Sequence, residues 1–425
     1  MEKAAWPERT SLKRRKRIGS LGRIGLGLLL VDLVAVSFLG CKGSPPKQKA
    51  EDERERFAKE YWDSLFKDDP EALTEYRRIL GEFQTGKHAQ AIEELKGLLQ
   101  KSPEAPWAEA VQFYLAQAWT LLRQYGNAVQ QLDLFLERYP KSPAVPRVLL
   151  GKGQIYLALG NERCSATPED PVGKQYLQTA REIFLEIPKK HPDEPELEAE
   201  AAFYLAEVYE SLQETAKAKE TFRKAAEAYP DTLVASKALY ALAGVLLGEA
   251  DSEGAGRVFG EITEHYANTS LAGKAEQKLE GIRLIGSKAP PLHIKEWIGD
   301  APPAGNGYDA KLTLLDFWAI WCPHCRRNIP KMERLLATYA KRGVSLVGIT
   351  REREGAGVEQ VREFIKSHAM GYPTGVDDEG KTSQELAVKS IPCVVIVGPE
   401  GRIRWHGHPE NLTDKVIEVL LQSAS

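Results

Sequence analysis

Two regimes of hydrophobic patterning divide the chain. From about residue 57 to 285, apolar positions recur three and four residues apart in stretch after stretch, the period of helices that bury one face. Prolines punctuate this region at Pro103, Pro140, Pro192 and Pro230, spaced 37, 52 and 38 residues apart, each closing a helix pair because proline cannot continue a helix. Asn161 to Lys174, polar and proline-containing, reads as an insertion that lengthens the middle step; without it the period returns to about 37. The units share further features. Tyr114-Leu115-Ala116, Gly126, Ala128 and Phe135 precede Tyr139-Pro140, and Tyr204-Leu205-Ala206, Ala216, Ala218 and Phe222 precede Tyr229-Pro230. Small residues let paired helices approach while aromatics fill the space between them. About five units are expected, the last from Ala238 to Tyr266, with Ala272–Leu284 as a cap.

After residue 286 the pattern changes to short apolar runs bounded by turn residues. Strands are expected at Lys311–Ile320, Val344–Thr350, Gly371–Val376, Val394–Val397 and Arg402–His406. Helices are expected at Cys322–Lys341, Val358–Ser367, Thr382–Val388 and Leu412–Leu421. The N-terminus differs again. Lys13–Arg17 is a basic run, Ile24–Leu39 is apolar but interrupted by Asp32, and Phe38-Leu39-Gly40-Cys41 is followed by polar residues. A basic start followed by a short apolar stretch is an export signal. Residues 42–56 are polar and charged without apolar period, a tether.

Composition adds limits. With 57 Lys and Arg against 60 Asp and Glu, the chain lacks the basic excess of a dedicated nucleic-acid binder. Five cysteines exclude the disulfide framework of small secreted domains.

The chemistry lies in Leu314–Pro330, LLDFWAIWCPHCRRNIP. Cys322 and Cys325 fall where an apolar strand gives way to a helix. Unpaired N–H groups and the positive end of the dipole at a helix start favour the thiolate of Cys322, the form that attacks disulfides. Cys325, one turn on, can displace the resulting mixed disulfide. Pro323 suits the first helical turn, and a protonated His324 would add positive charge and make the pair more oxidising. Asp316, in the apolar strand, would have a raised pKa and could exchange a proton with Cys325. No second CxxC or paired histidine spacing accompanies the dithiol, so no metal is expected, and no cofactor beyond the Cys322/Cys325 disulfide itself. His406 and His408 read as surface residues. Cys393 reads as a small buried residue, its participation in redox chemistry left open, and Cys164 as a free thiol.

These residues carry resemblances. FWAIWCPHC preceded by Asp316, with Lys288-Ala289-Pro290 and Ile391-Pro392, resembles the thioredoxin superfamily in its extracytoplasmic TlpA/ResA branch. That resemblance implies a cis peptide before Pro392, which with Ile391 would present backbone to an extended substrate, and a site flanked by Trp321. The helical units resemble tetratricopeptide repeats, which implies a concave surface binding a peptide or protein. The segment ending at Cys41 resembles a bacterial lipoprotein signal, which implies lipidation of Cys41; an uncleaved signal anchor is the alternative.

The sequence therefore predicts a multidomain chain, an all-α tetratricopeptide-like solenoid followed by an α/β thioredoxin fold: signal at 1–41, tether at 42–56, repeats at 57–285 and a TlpA-type thioredoxin-like domain at 286–425. Its expected role is a membrane-anchored, extracytoplasmic thiol-disulfide oxidoreductase of the bacterial envelope. Cys322, Cys325 and Asp316 are the expected catalytic residues, and Trp321, Pro323, His324, Ile391 and Pro392 the expected substrate-binding and tuning residues. Expected partners are protein disulfides, a membrane thiol electron donor or acceptor, a protein in the repeat groove and the membrane through its lipid anchor, without nucleic acid. Family resemblance implies reduction. The dipeptide between the cysteines, shared with DsbA-like oxidants, leaves oxidation open, and an envelope scaffold whose repeats carry the function is a further alternative.

Overall fold

The computed structural model describes residues 60–167, 169–192, 194–230, 232–299, 308, 310–352 and 357–423. The signal, Cys41 and the tether lie outside the described residues. Two compact units divide the chain at 235/236.

In the first unit, helices α1 (Pro70–Gln84), α2 (His88–Lys101), α3 (Ala108–Leu121), α4 (Tyr125–Arg138), α5 (Val145–Ala166), α6 (Pro171–Lys190), α7 (Pro195–Ser211) and α8 (Thr215–Ala228) follow one another as antiparallel pairs. Caps set their starts. Asp69 and Asp170 accept from the backbone N–H groups of Ala72 (2.9 Å) and Gly173 (2.7 Å), with prolines in the first turns of α1, α5, α6 and α7.

The turn inside the ordinary pairs is a repeated device. Gly86, Arg123 and Gln213 have φ of 82°, 58° and 61°, and the next N–H reaches back five residues: Lys87 to Glu82 O, Gln124 to Trp119 O and Glu214 to Tyr209 O. This is the left-handed closure that satisfies orphan carbonyls at a helix end. Ala250, φ 66°, makes the same closure through Asp251 N and Leu246 O. The long pair α5/α6 departs from it: the inserted residues Asn161–Lys174 are largely helical, α5 running on to Ala166 and α6 beginning at Pro171, so the insertion lengthens both helices. Glycines permit the contact, since a Cβ on Gly153 would lie 2.5 Å from the Phe184 ring and one on Gly160 2.6 Å from Leu177. Tyr204, one of the repeat aromatics, is buried, as is Trp107, which stacks on Phe66 with ring centroids 5.7 Å apart.

The second unit holds α9 (Leu233–Gly248, whose first residues precede the division), α10 (Ser252–His265), α11 (Ser270–Arg283) and an α/β domain. The domain contains β1 (Ile294–Ile298), β2 (Leu312–Phe317), α12 (Pro323–Tyr339), β3 (Val344–Thr350), α13 (Val358–Ser367), β4 (Thr374–Asp377), α14 (Lys381–Glu385), β5 (Cys393–Val397), β6 (Ile403–Gly407) and α15 (Asp414–Ser423). The sheet order is β1-β4-β3-β2-β5-β6, with β2, β3 and β4 parallel and the other neighbours antiparallel. β2 is buried throughout, as its unbroken apolar run requires of a central strand. Leu314, Leu346, Val394 and Ile396 pack with Met332, Leu335, Val416 and Ile417; Leu315, Phe317, Val347, Ile349 and Val395 pack with Leu386 and Val388 on the opposite face. β1 was absent from the sequence reading; it pairs antiparallel with β4 at the edge.

β6 would be the other exposed edge, and α9 and α11 cover it. Trp405 Nε1 donates to Leu247 O (3.2 Å), Thr413 Oγ1 donates to Gly248 O (2.6 Å), and a Cβ on Gly281 would lie 2.2 Å from the His406 ring. Covering an edge strand prevents adventitious pairing. His406 is consequently only 4 % exposed, which corrects the expectation of a surface residue. Among the described residues no helix is long and apolar enough to cross a membrane.

Candidate active site

β2 delivers the chain to the site. After Phe317, Trp318 and Ala319 remain buried, the backbone turns, and Cys322 takes the extended conformation of a helix N-cap (φ −93°, ψ 107°) with Pro323 first in α12. Cys322 and Cys325 form a disulfide with Cα atoms 5.3 Å apart, and the Cys325 N–H donates to Cys322 Sγ at 3.1 Å. That N–H is an orphan donor of the helix start, aimed at the sulfur that would carry charge in the reduced state. Both cysteines are recessed, 6 % and 2 % exposed, while Trp321, Pro323 and His324 are exposed around them. His324 Nδ1 lies 2.5 Å from Arg327 Nη2, so a guanidinium stands beside the imidazole. Asn328 donates to the His324 carbonyl, 3.1 Å.

Asp316 lies in β2, 3 % exposed, between Gly348 of β3 and Val394 of β5. Burial pushes its carboxyl up to about 7, opposed by the Tyr372 hydroxyl, which donates to Oδ2 at 3.3 Å. Tyr372 itself is held well above the ordinary phenol range by burial and by the Asp316 charge. A buried acid poised near neutrality can give or take a proton where a surface aspartate cannot. Asp316 pairs in register with Gly348, where a Cβ would lie 2.6 Å from Thr374 Oγ1 and 2.8 Å from Trp318 Nε1.

The Ile391–Pro392 peptide is cis, and Pro392 opens into β5, whose Cys393 pairs with Phe317 at the end of β2 that leads to Cys322. Ile391 is half-buried, with Pro392 buried beside it. Cys393 packs with the cluster on the face opposite the dithiol, its thiol pushed up to about 11 by burial and its Sγ 3.9 Å from the His406 ring nitrogens. This geometry assigns Cys393 to the core. Cys164 is an unbridged, partly exposed thiol on α5.

Two residues of this region, Tyr372 and Lys331, escaped the sequence reading, and a third, His408, is half-buried where a surface residue is expected. Tyr372 could have been suspected from an aromatic just before Pro373 and a strand. Lys331, on α12, donates to the carbonyls of Pro409 (2.6 Å) and Glu410 (3.2 Å), and burial pushes it down to about 8. His408 follows β6 and is pushed down to about 4 by burial and by Lys278, Lys331 and His324. No local signal marks either.

Fold and site together define the class: a thioredoxin-like domain with a CxxC disulfide at a helix N-cap, preceded by tetratricopeptide-like helical repeats. Residues 285–406 match the AhpC/TSA family model and residues 68–246 match the outer membrane lipoprotein family model. The second unit is similar to the thiol-disulfide oxidoreductase ResA of Oceanobacillus iheyensis, 26 % identical over 122 residues, covering 28 % of this chain and 62 % of the relative. Sporulation thiol-disulfide oxidoreductase A of Bacillus subtilis is 26 % identical over 91 residues, 21 % of this chain and 55 % of that protein. The chain thus spans between half and two thirds of the length of these two relatives. Among solved structures, a thermophilic TPR protein from Thermus thermophilus matches 49 % of this chain and 98 % of its own at 18 % identity, with a TM-score of 0.37.

Proposed function

We propose that this chain is an extracytoplasmic thiol-disulfide oxidoreductase, anchored in the bacterial envelope through lipid on Cys41, whose repeats bind a partner protein while the second unit exchanges disulfides. The observation that carries the reading is the Cys322–Cys325 disulfide at the N-cap of α12, with the buried carboxyl of Asp316 in the adjacent central strand. In the reducing direction, which the TlpA/ResA resemblance implies, the Cys322 thiolate attacks one sulfur of the partner disulfide. The partner's S–S bond breaks, its second sulfur leaves as a thiolate, and a mixed disulfide forms. Cys325 gives up its proton, with Asp316 as acceptor, and its thiolate attacks Cys322 Sγ. The partner departs with both sulfurs reduced and the enzyme keeps the disulfide, two electrons having passed between them. Trp321, His324 and the Ile391–Pro392 backbone border the approach.

A second reading, net oxidation of the partner, has one observation in its favour. The Arg327 guanidinium beside His324 adds positive charge at the helix start, and stabilising the thiolate makes a dithiol more oxidising. A reduction potential near about −270 mV indicates a reductase and one near about −120 mV an oxidant. The test of the reading itself is Cys325→Ser in cells. A mixed disulfide through Cys322 with an envelope protein is expected, and absence of any Cys322 adduct would leave the repeats as the functional part.

A further inference from the structure

The rim around the dithiol carries two arginines that no carboxylate among the described residues pairs. Arg326 and Arg327, directly after Cys325 on α12, meet no carboxylate among the described residues; the only polar partner of Arg327 is the His324 ring. Further out, three arginines of the same domain are paired, Arg334 with Asp414 at 3.0 Å, Arg342 with Glu418 at 2.5 Å and Arg362 with Glu296 at 2.7 Å, while Arg402 and Arg404, away from the rim, bond to the Gly286 carbonyl and to Ser423. The first turn of α12 contains no acid. Lys331, Lys278 of α11 and His324 are all close enough to disfavour a charge on His408, so the cationic character extends over α11, α12 and the loop after β6. Three acids lie near this arc, of which Asp414 acts on Lys331 and is paired with Arg334. Glu410 Oε2 is 3.6 Å from His408 Nδ1, and Glu333 is engaged with the Gly371 N–H at 2.6 Å.

The positive pole of the α12 dipole has the same sign as Arg326 and Arg327 and adds to their field. The dithiol is recessed below Trp321, Pro323 and His324, so a reacting group must be a sulfur presented with its flanking residues lying against this rim. A flat anionic bilayer cannot bring an electrophilic sulfur to Cys322.

We propose that Arg326 and Arg327, with the surrounding cationic arc, select partner proteins whose exchanging disulfide is flanked by acidic side chains. This rests on the dithiol-exchange reading and narrows its substrate class. Charge complementarity at a rim acts mainly on encounter, raises the association rate and fades with salt.

The test uses the reduced full-length chain in detergent and two cyclic peptide disulfides, identical except that Glu-Glu or Lys-Lys flanks one cysteine. Second-order rate constants are taken from quenched samples at low and high salt. At low ionic strength the Glu peptide should react about tenfold faster, and the ratio should fall below about twofold in 0.5 M salt, where screening extends only a few ångströms. Arg326→Glu with Arg327→Glu should invert the ratio, and Arg326→Gln with Arg327→Gln should bring it near one. Because the ratio is taken within one protein, partial loss of fold or a changed Cys322 reactivity cancels. Equal rates for the two peptides in the wild type, or a preference that persists in the reversed variant or in high salt, would overturn the proposal while leaving dithiol exchange standing. So would a reversed variant that loses only affinity for anionic vesicles and keeps the wild-type peptide ratio. A wild-type chain that reduces neither peptide would sink both readings.

Discussion

Replacing Asp316 with Asn should alter the pH dependence of stability more than stability at any single acid pH. Burial lifts this carboxyl to about 7, against about 4 for an aspartate in an unfolded chain. Between those values the folded protein holds a proton that the unfolded chain has released, so the unfolded state binds fewer protons and stability falls as pH rises. At about 1.4 kcal/mol per decade over about three decades, the wild type should lose up to about 4 kcal/mol between pH 4 and pH 8 through this group. Asn carries no charge to bury and keeps an oxygen that can accept from the Tyr372 hydroxyl, which donates to Asp316 at 3.3 Å. The variant should therefore match the wild type near pH 4 and exceed it by about 2–4 kcal/mol near pH 8. Paired urea unfolding of the oxidised proteins, followed by tryptophan fluorescence at several pH values, reads this difference directly. A variant-minus-wild-type difference that is the same at pH 4 and pH 8 would refute the buried-acid argument. Gained stability should accompany slower resolution of the mixed disulfide at neutral pH, since Asn cannot accept the Cys325 proton.

Other consequences follow from individual contacts. Gly348→Ala would put a Cβ 2.6 Å from Thr374 Oγ1 and 2.8 Å from the rigid Trp318 ring, and should cost about 1–3 kcal/mol in urea unfolding. Trp405→Phe removes the indole donor from the Leu247 carbonyl, which keeps the Ala250 N–H; a loss of about 1 kcal/mol is expected, together with faster amide hydrogen exchange at the end of α9. Gln213→Gly relieves a side chain held at φ 61° and, after the greater entropy of glycine in the unfolded chain, should stabilise by about 0.5 kcal/mol in thermal melts.

What the sequence disclosed is what local physics determines. Pro103, Pro140, Pro192 and Pro230 each stand two residues past the ends of α2, α4, α6 and α8, whereas Pro188 and Pro330 are accommodated inside α6 and α12. The apolar run of Val344–Thr350 and the amphipathic period of Val358–Ser367 needed no tertiary information, and both elements match the structure residue for residue. The placement of Cys322 at the start of α12 was also legible, since a strand-to-helix transition is written locally, whereas the cis bond before Pro392 is an expectation that only the family resemblance supplies. Non-local relations were hidden. Asn161–Lys174 has loop-like composition, yet Gly153 and Gly160 let Phe184 and Leu177 close a long pair around it. His406 looks like a polar residue on a final strand, and only the docking of α11 through Gly281 buries it. Tyr372 lies 56 residues from Asp316 and comes to it because β4 lies beyond β3 in the sheet.

The most direct test of the redox account is the rate at which Cys322 in the reduced full-length chain is alkylated by iodoacetamide as a function of pH, with Cys325→Ser used to isolate its thiol. Held at the N-cap beneath an orphan N–H, Cys322 should titrate well below the ordinary thiol value of about 8.5 and react with the reagent at neutral pH. A midpoint at or above that value, with a neutral-pH rate no greater than that of a free cysteine, would contradict the account.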